Sequence, residues 1–360
     1  MPRSPANNTL APLLRRLAGK LGDRQAASEL RWMTDHVHKA IGDSAAHAEH
    51  LGMQHRRARL WRDQPAPSTA EIELDTKRFT PVQWAWLRQA VADRVEKHKP
   101  LQYILGSQPF GKTEIGVRSP VLIPRPETEE WVQRLAERLA AHHPACQTAQ
   151  PGTSGQLLSI LDACTGSGCV SLGLASELPV DAARIAGVDI STDAIALALS
   201  NMTRNAGVLN NEVEFHQLDL LAADALSRLE AIRPTGWDMV VANPPYVTPA
   251  EYRELDPDVR DWEDVQALVP MPLRVADELD PSGVMFIERL AVLAKGLRLS
   301  RAGQAGPLAS AKLPWLVVEI GGQKQVEPTR QAMHDNGLDR TEVWKDMAGT
   351  DRVVLGYTKE

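Results

Sequence analysis

Short apolar segments alternate with helical segments from residue 157 onward, and this alternation limits the possible folds more than any other feature of the chain. Seven segments have the length and apolar character of strands: 157–163, 184–190, 212–221, 238–246, 283–289, 315–321 and 351–358. Helices are predicted between the first three of them, at 169–177 and 192–206. Strands that alternate with helices form a mostly parallel sheet covered on both faces, so we expect an α/β fold.

The first hundred residues lack this alternation and are predicted to be helical. Five leucines, from Leu10 to Leu21, fall on one face at helical spacing. Three further helices are expected at 26–41, 44–62 and 80–97. The last of these starts at Thr80-Pro81, a typical helix start because proline is favoured at the first helical position.

Charge is distributed unevenly between the front and the body of the chain. Residues 1–100 contain 17 Lys and Arg against 11 Asp and Glu, whereas residues 101–360 contain 23 against 35. The basic front fits either solvated helix faces or a surface that docks an acidic or nucleic-acid-rich partner. No acid precedes Asp23, so the first residues also have the composition of a mitochondrial transit peptide, although the first helix of the domain explains them equally well.

Length and composition exclude several classes of protein. With 360 residues and 43% hydrophobic content, the chain can bury an α/β core and still supply a second domain. No apolar run approaches the ~20 residues that span a bilayer, so we expect a soluble protein. The three cysteines, Cys146, Cys164 and Cys169, form neither a CxxC pair nor a zinc-ligand spacing. A reducing compartment and no structural metal are therefore expected.

A connector rich in glycine and proline separates the helical front from the α/β body. Gly106, Gly111 and Gly116 are predicted to be turns of a hairpin, and Pro124 to Glu127 open a long helix with acids in its first turn. Flexible loops are expected at 144–156 and 300–313. We therefore predict three segments: a helical domain at 1–98, a hairpin connector at 99–125 and an α/β domain at 126–360.

The first predicted strand ends in the sequence DACTGSG at 162–168. Gly166 and Gly168 allow the backbone to approach a ligand closely, and the following helix points its N-terminus at whatever is bound. Asp189 ends the second strand, 21 residues after Gly168, where a carboxylate can accept both hydroxyls of a ribose. The loop therefore predicts a cofactor that contains a nucleoside.

Two further residues bear on which cofactor this is. A dinucleotide fingerprint would need a third glycine where Ser171 stands. S-adenosylmethionine has no phosphate, so a looser loop suffices, provided that a polar residue at the end of the third strand reaches the adenine amino group. Asp219 is the candidate for that residue, although a helix cap or turn role explains it equally well when it is considered alone.

The fourth predicted strand ends in NPPY, residues 243–246. Ending a strand would need only one of these residues, so the combination calls for another explanation. In an open parallel sheet this strand lies beside the first, so Asn243 is expected next to the cofactor. Its side-chain oxygen and the carbonyl of Pro244 can accept both hydrogens of a planar NH2 group, and Pro244 and Pro245 stiffen the turn. Tyr246 offers a flat face for stacking. The sequence therefore predicts a clamp for a planar NH2 group beside a methyl donor.

Four motifs together resemble one enzyme family. NPPY at 243–246, LIPRPETE at 122–129, DACTGSG at 162–168 and DRVVLG at 351–356 are similar to the protein-(glutamine-N5) methyltransferases that modify class I peptide-chain release factors. The resemblance spans nearly the whole chain. It implies a Rossmann-like class I methyltransferase domain with a seven-stranded sheet, preceded by a small helical domain that docks the substrate and a β-hairpin connector.

The resemblance also implies roles for individual residues. Members of this family bind S-adenosylmethionine and transfer its methyl group to the glutamine of a GGQ motif. The residues expected to bind the cofactor are Phe110, Asp162, Thr165, Gly166, Gly168, Asp189, Asp219 and Asn243. The residues expected to be catalytic, as the clamp on the glutamine amide, are Asn243, Pro244, Pro245 and Tyr246. Glu319 is interpreted as structural.

One loop departs from the family pattern. Family members usually have Glu-Pro shortly after NPPY, whereas this chain has Glu263 followed by Asp264. This departure bears on the conformation of the loop and not on the chemistry of the clamp. The acidic residues around it are expected to be solvated or to face a partner.

Other functions remain open at this point. A DNA or RNA amino-methyltransferase uses the same clamp on a flipped base, but it would need a basic groove, and the body of this chain is acidic. Glutamine methylation of a ribosomal protein fits the same clamp. A non-catalytic adaptor would need neither the clamp nor the cofactor loop. The preferred partner is therefore a release factor, with no nucleic-acid substrate and no membrane, in the mitochondrial matrix or alternatively the cytoplasm.

Overall fold

A computed structural model of the protein describes residues 9–40, 76, 79–143, 146, 157–270, 282–302 and 313–358. The helix predicted at 44–62 lies outside these residues, and so does the loop predicted at 144–156 apart from Cys146. The loop predicted at 300–313 is helical at 300–302 and lies outside the described residues from 303 to 312.

Helices occur throughout the described residues. They are α1 (Leu10–Leu21), α2 (Asp23–Ala40), α3 (Pro81–Glu96), α4 (Leu101–Leu105), α5 (Pro126–His142), α6 (Cys169–Glu177), α7 (Thr192–Asn205), α8 (Ala225–Ile232), α9 (Pro249–Glu254), α10 (Pro257–Arg260), α11 (Val265–Leu268), α12 (Met285–Ala302) and α13 (Val326–Asp335). The strands are β1 (Ser107–Phe110), β2 (Thr113–Gly116), β3 (Leu158–Ala163), β4 (Ala183–Asp189), β5 (Glu212–Gln217), β6 (Met239–Ala242), β7 (Leu316–Glu319), β8 (Arg340–Lys345) and β9 (Asp351–Tyr357).

The chain divides into two compact units. The first contains the residues up to Ser107 together with Pro257–Trp262, and the second contains Gln108–Asp256 and Glu263–Glu360. The boundaries differ from the predicted segments, because the helical unit continues through α4 and takes in a short piece of chain from the body. The β1–β2 hairpin has its turn at Gly111, as predicted, whereas Gly106 caps the end of α4 and Gly116 lies in β2, so neither is a turn of the hairpin.

The helical unit has its own apolar core. Buried side chains from α1, α2 and α3 meet there, among them Leu17, Leu30, Met33 and Leu87. α1 thus contributes the predicted leucine face to a core. α3 begins at Thr80 with a capping box and Pro81 in the first turn, which confirms the predicted helix start.

A buried ion cluster adds polar contacts to the helical unit. The Arg94 guanidinium contacts Glu29, with Nε 2.8 Å from Oε2, and also Asp258, with Nη1 2.9 Å from Oδ2. Burial opposes the charge on Asp258, but the hydrogen bond and the positive charge of Arg94, with smaller contributions from other groups, together lower the Asp258 pKa below its usual value. The expectation that this acid is solvated or faces a partner is therefore wrong.

The second unit is built on a sheet of seven strands, which confirms the predicted Rossmann-like class I methyltransferase fold. The strand order is β5-β4-β3-β6-β7-β9-β8. β3 to β7 are parallel neighbours, and β9 pairs antiparallel with β7 and with β8. β6 lies directly beside β3, with Ala242 opposite Ala163. The carboxyl ends of these two strands therefore meet, as the sequence predicted.

One predicted strand is wrong and one strand was missed. Residues 283–289 are not a strand, since α12 begins at Met285 and buries Ile287, Leu290 and Leu297 at helical spacing. A short apolar run does not distinguish a strand from a buried helix. The seventh strand is β8, an edge strand of mixed polarity, which the apolar pattern does not reveal.

Within the described residues, no helix has the length and apolar character needed to cross a membrane.

Candidate active site

The loop that follows β3 turns sharply before α6 begins. Cys164, Gly166 and Gly168 have φ angles of 62°, 54° and 81°, in the left-handed region. A Cβ on Gly168 would lie 2.9 Å from Cζ of Phe215 and 3.1 Å from the Cβ of Ala198. Glycine is therefore required at position 168 both by the backbone angle and by the lack of space.

Asp162 lies behind this loop and holds it together. The residue is fully buried, and its Oδ2 accepts hydrogen bonds from Thr165 Oγ1 at 2.6 Å, Ser171 Oγ at 2.6 Å and Ser171 N at 3.1 Å. Its Oδ1 accepts none from the described residues. Burial raises the pKa of Asp162 to about 6 against the effect of these bonds. Asp162 therefore shapes the loop and does not form the cavity wall.

Two other acids stand at the edge of the same loop. Asp189, at the end of β4, accepts hydrogen bonds from Gly166 N and from Ser191 N, both at 2.9 Å. Burial raises its pKa. Asp219 follows β5, and its Oδ1 accepts from Leu221 N at 2.8 Å, which is the turn role that the sequence left open. Both acids also line the cavity described next.

A cavity of about 510 Å³ opens at the carboxyl ends of β3, β4 and β6. This is within the usual range for a small-molecule site. Its polar wall includes the carboxylates of Asp189, Asp219 and Asp264, and its apolar wall includes Ile190 and Phe286. Carboxylates can accept hydrogens from ribose hydroxyls and amines, and they attract positive charge. The wall therefore fits a nucleoside that carries a cationic group.

The DACTGSG and NPPY motifs lie at the same cavity, the first through Cys164 and the second through Asn243. They follow the paired ends of β3 and β6, and both line the wall. Burial raises the pKa of Cys164 well above its usual value, and the charges of Asp189 and Asp162 raise it further. The thiol therefore stays protonated at neutral pH and is a poor nucleophile.

The clamp residues lie directly after β6, a strand buried along its whole length. Asn243 is half-buried, and its Nδ2 donates to Thr128 Oγ1 at 3.2 Å, which leaves Oδ1 available as an acceptor. Both prolines are buried, and of the two only Pro245 lines the cavity. Tyr246 lies outside the cavity wall, with its ring against Gly321.

Glu319, at the end of β7, accepts hydrogen bonds from helix α5 and from the NPPY loop. It is 1% exposed, and its Oε2 accepts from Thr128 Oγ1 and from Trp131 Nε1, both at 2.7 Å. Its Oε1 accepts from the Tyr246 hydroxyl at 3.3 Å. Burial raises the pKa of Glu319, and the same burial together with this negative charge raises that of Tyr246. The carboxylate thus connects Asn243, through Thr128, with Tyr246.

Gln325 fixes the backbone of the clamp. Its Nε2 donates to the carbonyl of Tyr246 at 2.9 Å and to that of Ser282 at 3.0 Å, while its Oε1 accepts from Gly321 N at 2.7 Å. Both hydrogens of Nε2 therefore bind main-chain carbonyls, and Oε1 binds a main-chain N–H. The segment from Glu319 to Gln325 therefore supports both the side chains and the backbone of NPPY.

The loop that departs from the family pattern has a defined conformation. Glu263 is buried and pairs with Arg125 at 2.6 Å, so this acid is not solvated as the sequence suggested. Asp264 donates its backbone N–H to the carbonyl of Pro120 at 2.8 Å and caps α11 through Gln266 N. Proline has no N–H, so the bond to Pro120 is one that the usual Glu-Pro sequence cannot make.

Phe110 does not stand where the resemblance implied. It is 1% exposed and is absent from the cavity wall. A Cβ on Gly173 would lie 2.8 Å from its Cε1, so the ring packs tightly against α6. The expected contact with the cofactor is therefore replaced by a core contact between the hairpin and the helix that follows the cofactor loop.

Four residues of the site were missed or underestimated from the sequence. Thr128, Trp131 and Gln325 had no assigned role, and Glu319 was interpreted only as structural. Thr128 belongs to LIPRPETE, so the motif itself was found but not its contact. Within the part of the chain that the structure describes, no three His, Cys, Asp or Glu side chains are grouped to hold a metal ion.

No protein-family model matches the chain. Among curated proteins, it is 33% identical over 266 residues to the probable MRF1 mitochondrial N(5)-glutamine methyltransferase mtq1 of Schizosaccharomyces pombe, covering 73% of this chain and 77% of that protein. It is also 33% identical over 261 residues to a release factor glutamine methyltransferase of Bacteroides thetaiotaomicron, covering 72% and 77%. The human MTRF1L release factor glutamine methyltransferase is 35% identical over 196 residues, 54% of each chain.

Among solved structures, the N-terminal domain of human METTL16 in complex with SAH is similar at a TM-score of 0.45 and 11% identity, covering 89% of this chain and 98% of that one. A ribosomal protein L11 methylase from Lactobacillus delbrueckii is similar at a TM-score of 0.35 and 13% identity, covering 67% and 82%. The curated relatives, at 33% identity over about three quarters of their length, carry the assignment. The chain belongs to the family of release factor glutamine methyltransferases.

Proposed function

We propose that this protein transfers the methyl group of S-adenosylmethionine to the side-chain amide nitrogen, N5, of the glutamine in the GGQ motif of a class I peptide-chain release factor. The observation that carries the proposal is the anchored amide of Asn243 on the wall of the cavity, beside the glycine loop. Family membership gives the same substrate class, since the curated relatives are named for it.

The cavity residues fit S-adenosylmethionine, which supplies a methyl group on a sulfonium and so a strong electrophile. Asp189 would accept the ribose hydroxyls, and Asp219 would lie near the adenine. The three wall carboxylates favour a ligand with positive charge. The backbone of Gly166 would approach the ligand. Asp162, Thr165 and Gly168 would act indirectly, by shaping the loop.

The clamp residues would orient the substrate amide. An amide nitrogen is a poor nucleophile because its lone pair is delocalised into the carbonyl. Asn243 Oδ1 and the carbonyl of Pro244 would each accept one N–H, which raises electron density on the nitrogen and fixes its direction of approach. Positioning of this kind supplies up to about 7–11 kcal/mol in well-aligned systems. Pro245, on the cavity wall, would pack against the planar amide, while Tyr246, whose ring lies at Gly321 outside that wall, would stabilise the turn.

No cavity residue is assigned as a general base. Asp189 and Asp219 already accept backbone hydrogen bonds, and the thiol of Cys164 stays protonated. The proton that leaves the methylated nitrogen would pass to water. The rate would therefore depend on positioning and electrostatics, with little pH dependence above the range in which the buried acids titrate.

The helical unit is proposed to dock the release factor. The basic excess of residues 1–100 fits an acidic or nucleic-acid-rich partner. A mitochondrial location is also proposed, because the relative from Schizosaccharomyces pombe is named as a mitochondrial enzyme. Methylation of a ribosomal protein, of DNA or of RNA is less well supported, since none of the curated relatives described above is named for such a substrate.

The function is tested by incubating the purified protein with S-adenosylmethionine labelled in the methyl group and a class I release factor. Mass spectrometry of the tryptic peptide that contains GGQ should show one methyl group on the glutamine. A release factor with glutamine replaced by alanine is the matched control and should stay unlabelled. Labelling of duplex DNA or RNA, or of another residue, would overturn the assignment.

A further inference from the structure

We propose that Thr128 is a positioning residue that fixes which end of the Asn243 side-chain amide is available to the substrate, and that it thereby makes the site select a carboxamide over a carboxylate. Glu319 directs Thr128. The inference rests on the proposed function and adds the origin of its specificity for glutamine over glutamate.

The need for such a residue follows from the shape of asparagine. The oxygen and the NH2 group of a side-chain amide have almost the same size, so packing alone does not decide which of them points in a given direction. With Oδ1 available, Asn243 accepts a hydrogen from the NH2 group of a glutamine. With Nδ2 available, it donates to a carboxylate and repels the glutamine NH2 group. The orientation of one amide therefore decides between two substrates.

The hydrogen bonds at Thr128 settle this orientation. An ionised carboxylate has only acceptor oxygens, so the contact of 2.7 Å between Thr128 Oγ1 and Glu319 Oε2 must use the hydroxyl hydrogen of Thr128. Thr128 has no second hydrogen on that oxygen, so it can only accept from Asn243. The group 3.2 Å away on Asn243 must then be Nδ2. Oδ1 is left as the acceptor.

The contacts of Glu319 oppose the effect of burial, which raises its pKa. Trp131 Nε1 donates to Oε2 at 2.7 Å, and the Tyr246 hydroxyl donates to Oε1 at 3.3 Å. Burial works against the charge, while these donors and the positive charge of Arg352 favour it. A tryptophan N–H can only donate, so Oε2 has to be an acceptor at this contact. The Thr128 hydroxyl therefore donates to Glu319 and accepts from Asn243.

Position 128 allows a clean test, because its side chain is 1% exposed and its shape can be kept. Thr128→Val removes the hydroxyl with almost no change in size, and Thr128→Ser keeps the hydroxyl. Without the hydroxyl, the Asn243 amide loses the partner that fixes it. If the valine variant is unstable, Thr128→Ala removes the same oxygen without a branched side chain. Thermal unfolding and binding of S-adenosylhomocysteine show whether each variant retains its fold.

The measurement is the dissociation constant of a class I release factor with GGQ and of the same factor with GGE, in the presence of S-adenosylhomocysteine. The wild type and Thr128→Ser should prefer GGQ by a similar factor. In Thr128→Val and Thr128→Ala that preference should fall at least tenfold, with cofactor affinity within about twofold of wild type. The methylation rate of GGQ should fall together with the preference.

Two failures are distinguishable. If the wild type methylates GGQ and the valine and alanine variants keep the full preference over GGE, Thr128 does not orient Asn243 and the inference is wrong. If the serine variant loses the preference as well, the effect is one of packing, and the inference is again wrong. If the wild type does not methylate GGQ at all, the proposed function itself fails.

Discussion

Two buried carboxylates support the two halves of the candidate site, and they differ in where their hydrogen-bond donors come from. Asp162 accepts from Thr165 and Ser171, three and nine residues away along the chain. Glu319 accepts from Tyr246, Trp131 and Thr128, which are 73, 188 and 191 residues away. One carboxylate organises a local turn, whereas the other joins three distant segments.

The difference predicts that the cofactor loop and the clamp can be damaged separately. The loop around Asp162 forms from a continuous stretch of chain, so its shape depends on few other residues. The clamp depends on the helix α5, the NPPY loop and β7 meeting at Glu319. Substitutions at Asp162 should therefore act first on cofactor binding. Substitutions at Glu319 should act first on methyl transfer.

The largest effect is expected for Asp162→Ala. The change leaves the N–H and hydroxyl of Ser171 and the hydroxyl of Thr165 without their buried acceptor. An unsatisfied buried donor costs about 1–3 kcal/mol, so a loss of roughly 3–5 kcal/mol in the free energy of unfolding is expected. Binding of S-adenosylhomocysteine should be lost as well. Urea unfolding and calorimetry measure the two effects, and unchanged cofactor affinity would show that the loop does not depend on Asp162.

A smaller effect, of roughly tenfold on methyl transfer, is expected for Glu319→Gln. An amide oxygen can replace Oε2 and still accept from Thr128 and Trp131, but the NH2 group then faces the Tyr246 hydroxyl. The hydrogen bond at Tyr246 must then reverse its direction, with the Tyr246 hydroxyl as the acceptor, which disturbs the position of Tyr246. Cofactor affinity should stay within about twofold of wild type. Single-turnover rates and calorimetry on the same preparation separate the two quantities.

Asp162→Asn is the matched control for the glutamine variant. All three donors reach the same oxygen, Oδ2, so an amide oxygen can replace it and the NH2 group takes the place of the unpaired Oδ1. The substitution also removes a buried charge. Cofactor affinity and turnover should therefore change by no more than a few-fold. A larger loss than that of Glu319→Gln would contradict the proposed difference between the two carboxylates.

The smallest effect is expected at a half-exposed carboxylate, Glu342 on β8, which has no part in the site. Partial burial raises its pKa, but hydrogen bonds from Arg138, Tyr357 and Trp344 outweigh this and hold the pKa at about 2. A lowered pKa contributes stability that is present above the ordinary value of 4.5 and is lost as the pH falls toward 2. Between these pH values the wild type should lose more stability than Glu342→Gln, while activity at neutral pH stays unchanged. Thermal unfolding of both proteins across this pH range measures the difference. Parallel plots of stability against pH for the wild type and Glu342→Gln would contradict the prediction.

The contrast between the local contacts of Asp162 and the long-range contacts of Glu319 also explains which features could be predicted from the sequence. The strand–glycine–helix unit around Asp162 could be recognised because its parts are adjacent in the chain. The position of Asn243 beside it followed from the general topology of parallel sheets and is confirmed by the pairing of β6 with β3. The contacts of Thr128 and Gln325 could not be predicted, because each depends on segments that meet only after folding.

The errors have the same physical origin. Residues 283–289 are apolar enough for a strand, but their burial pattern continues into α12 at helical spacing. Phe110 matched an aromatic position of the family, yet Gly173 leaves a space in α6 that its ring fills. Acids such as Asp258 and Glu263 look solvated in the sequence, because the basic partners Arg94 and Arg125 lie far away along the chain.

Asn243 is proposed to bind the glutamine amide without contributing to the folding of the cofactor loop. The most direct measurement compares wild type and Asn243→Ala for the affinity of S-adenosylhomocysteine and for the single-turnover rate of methyl transfer to release-factor GGQ. We expect nearly equal affinity and, for Asn243→Ala, a rate that is lower by roughly 10²–10³-fold. Equal rates, or a rate loss fully matched by a loss of cofactor affinity, would contradict it.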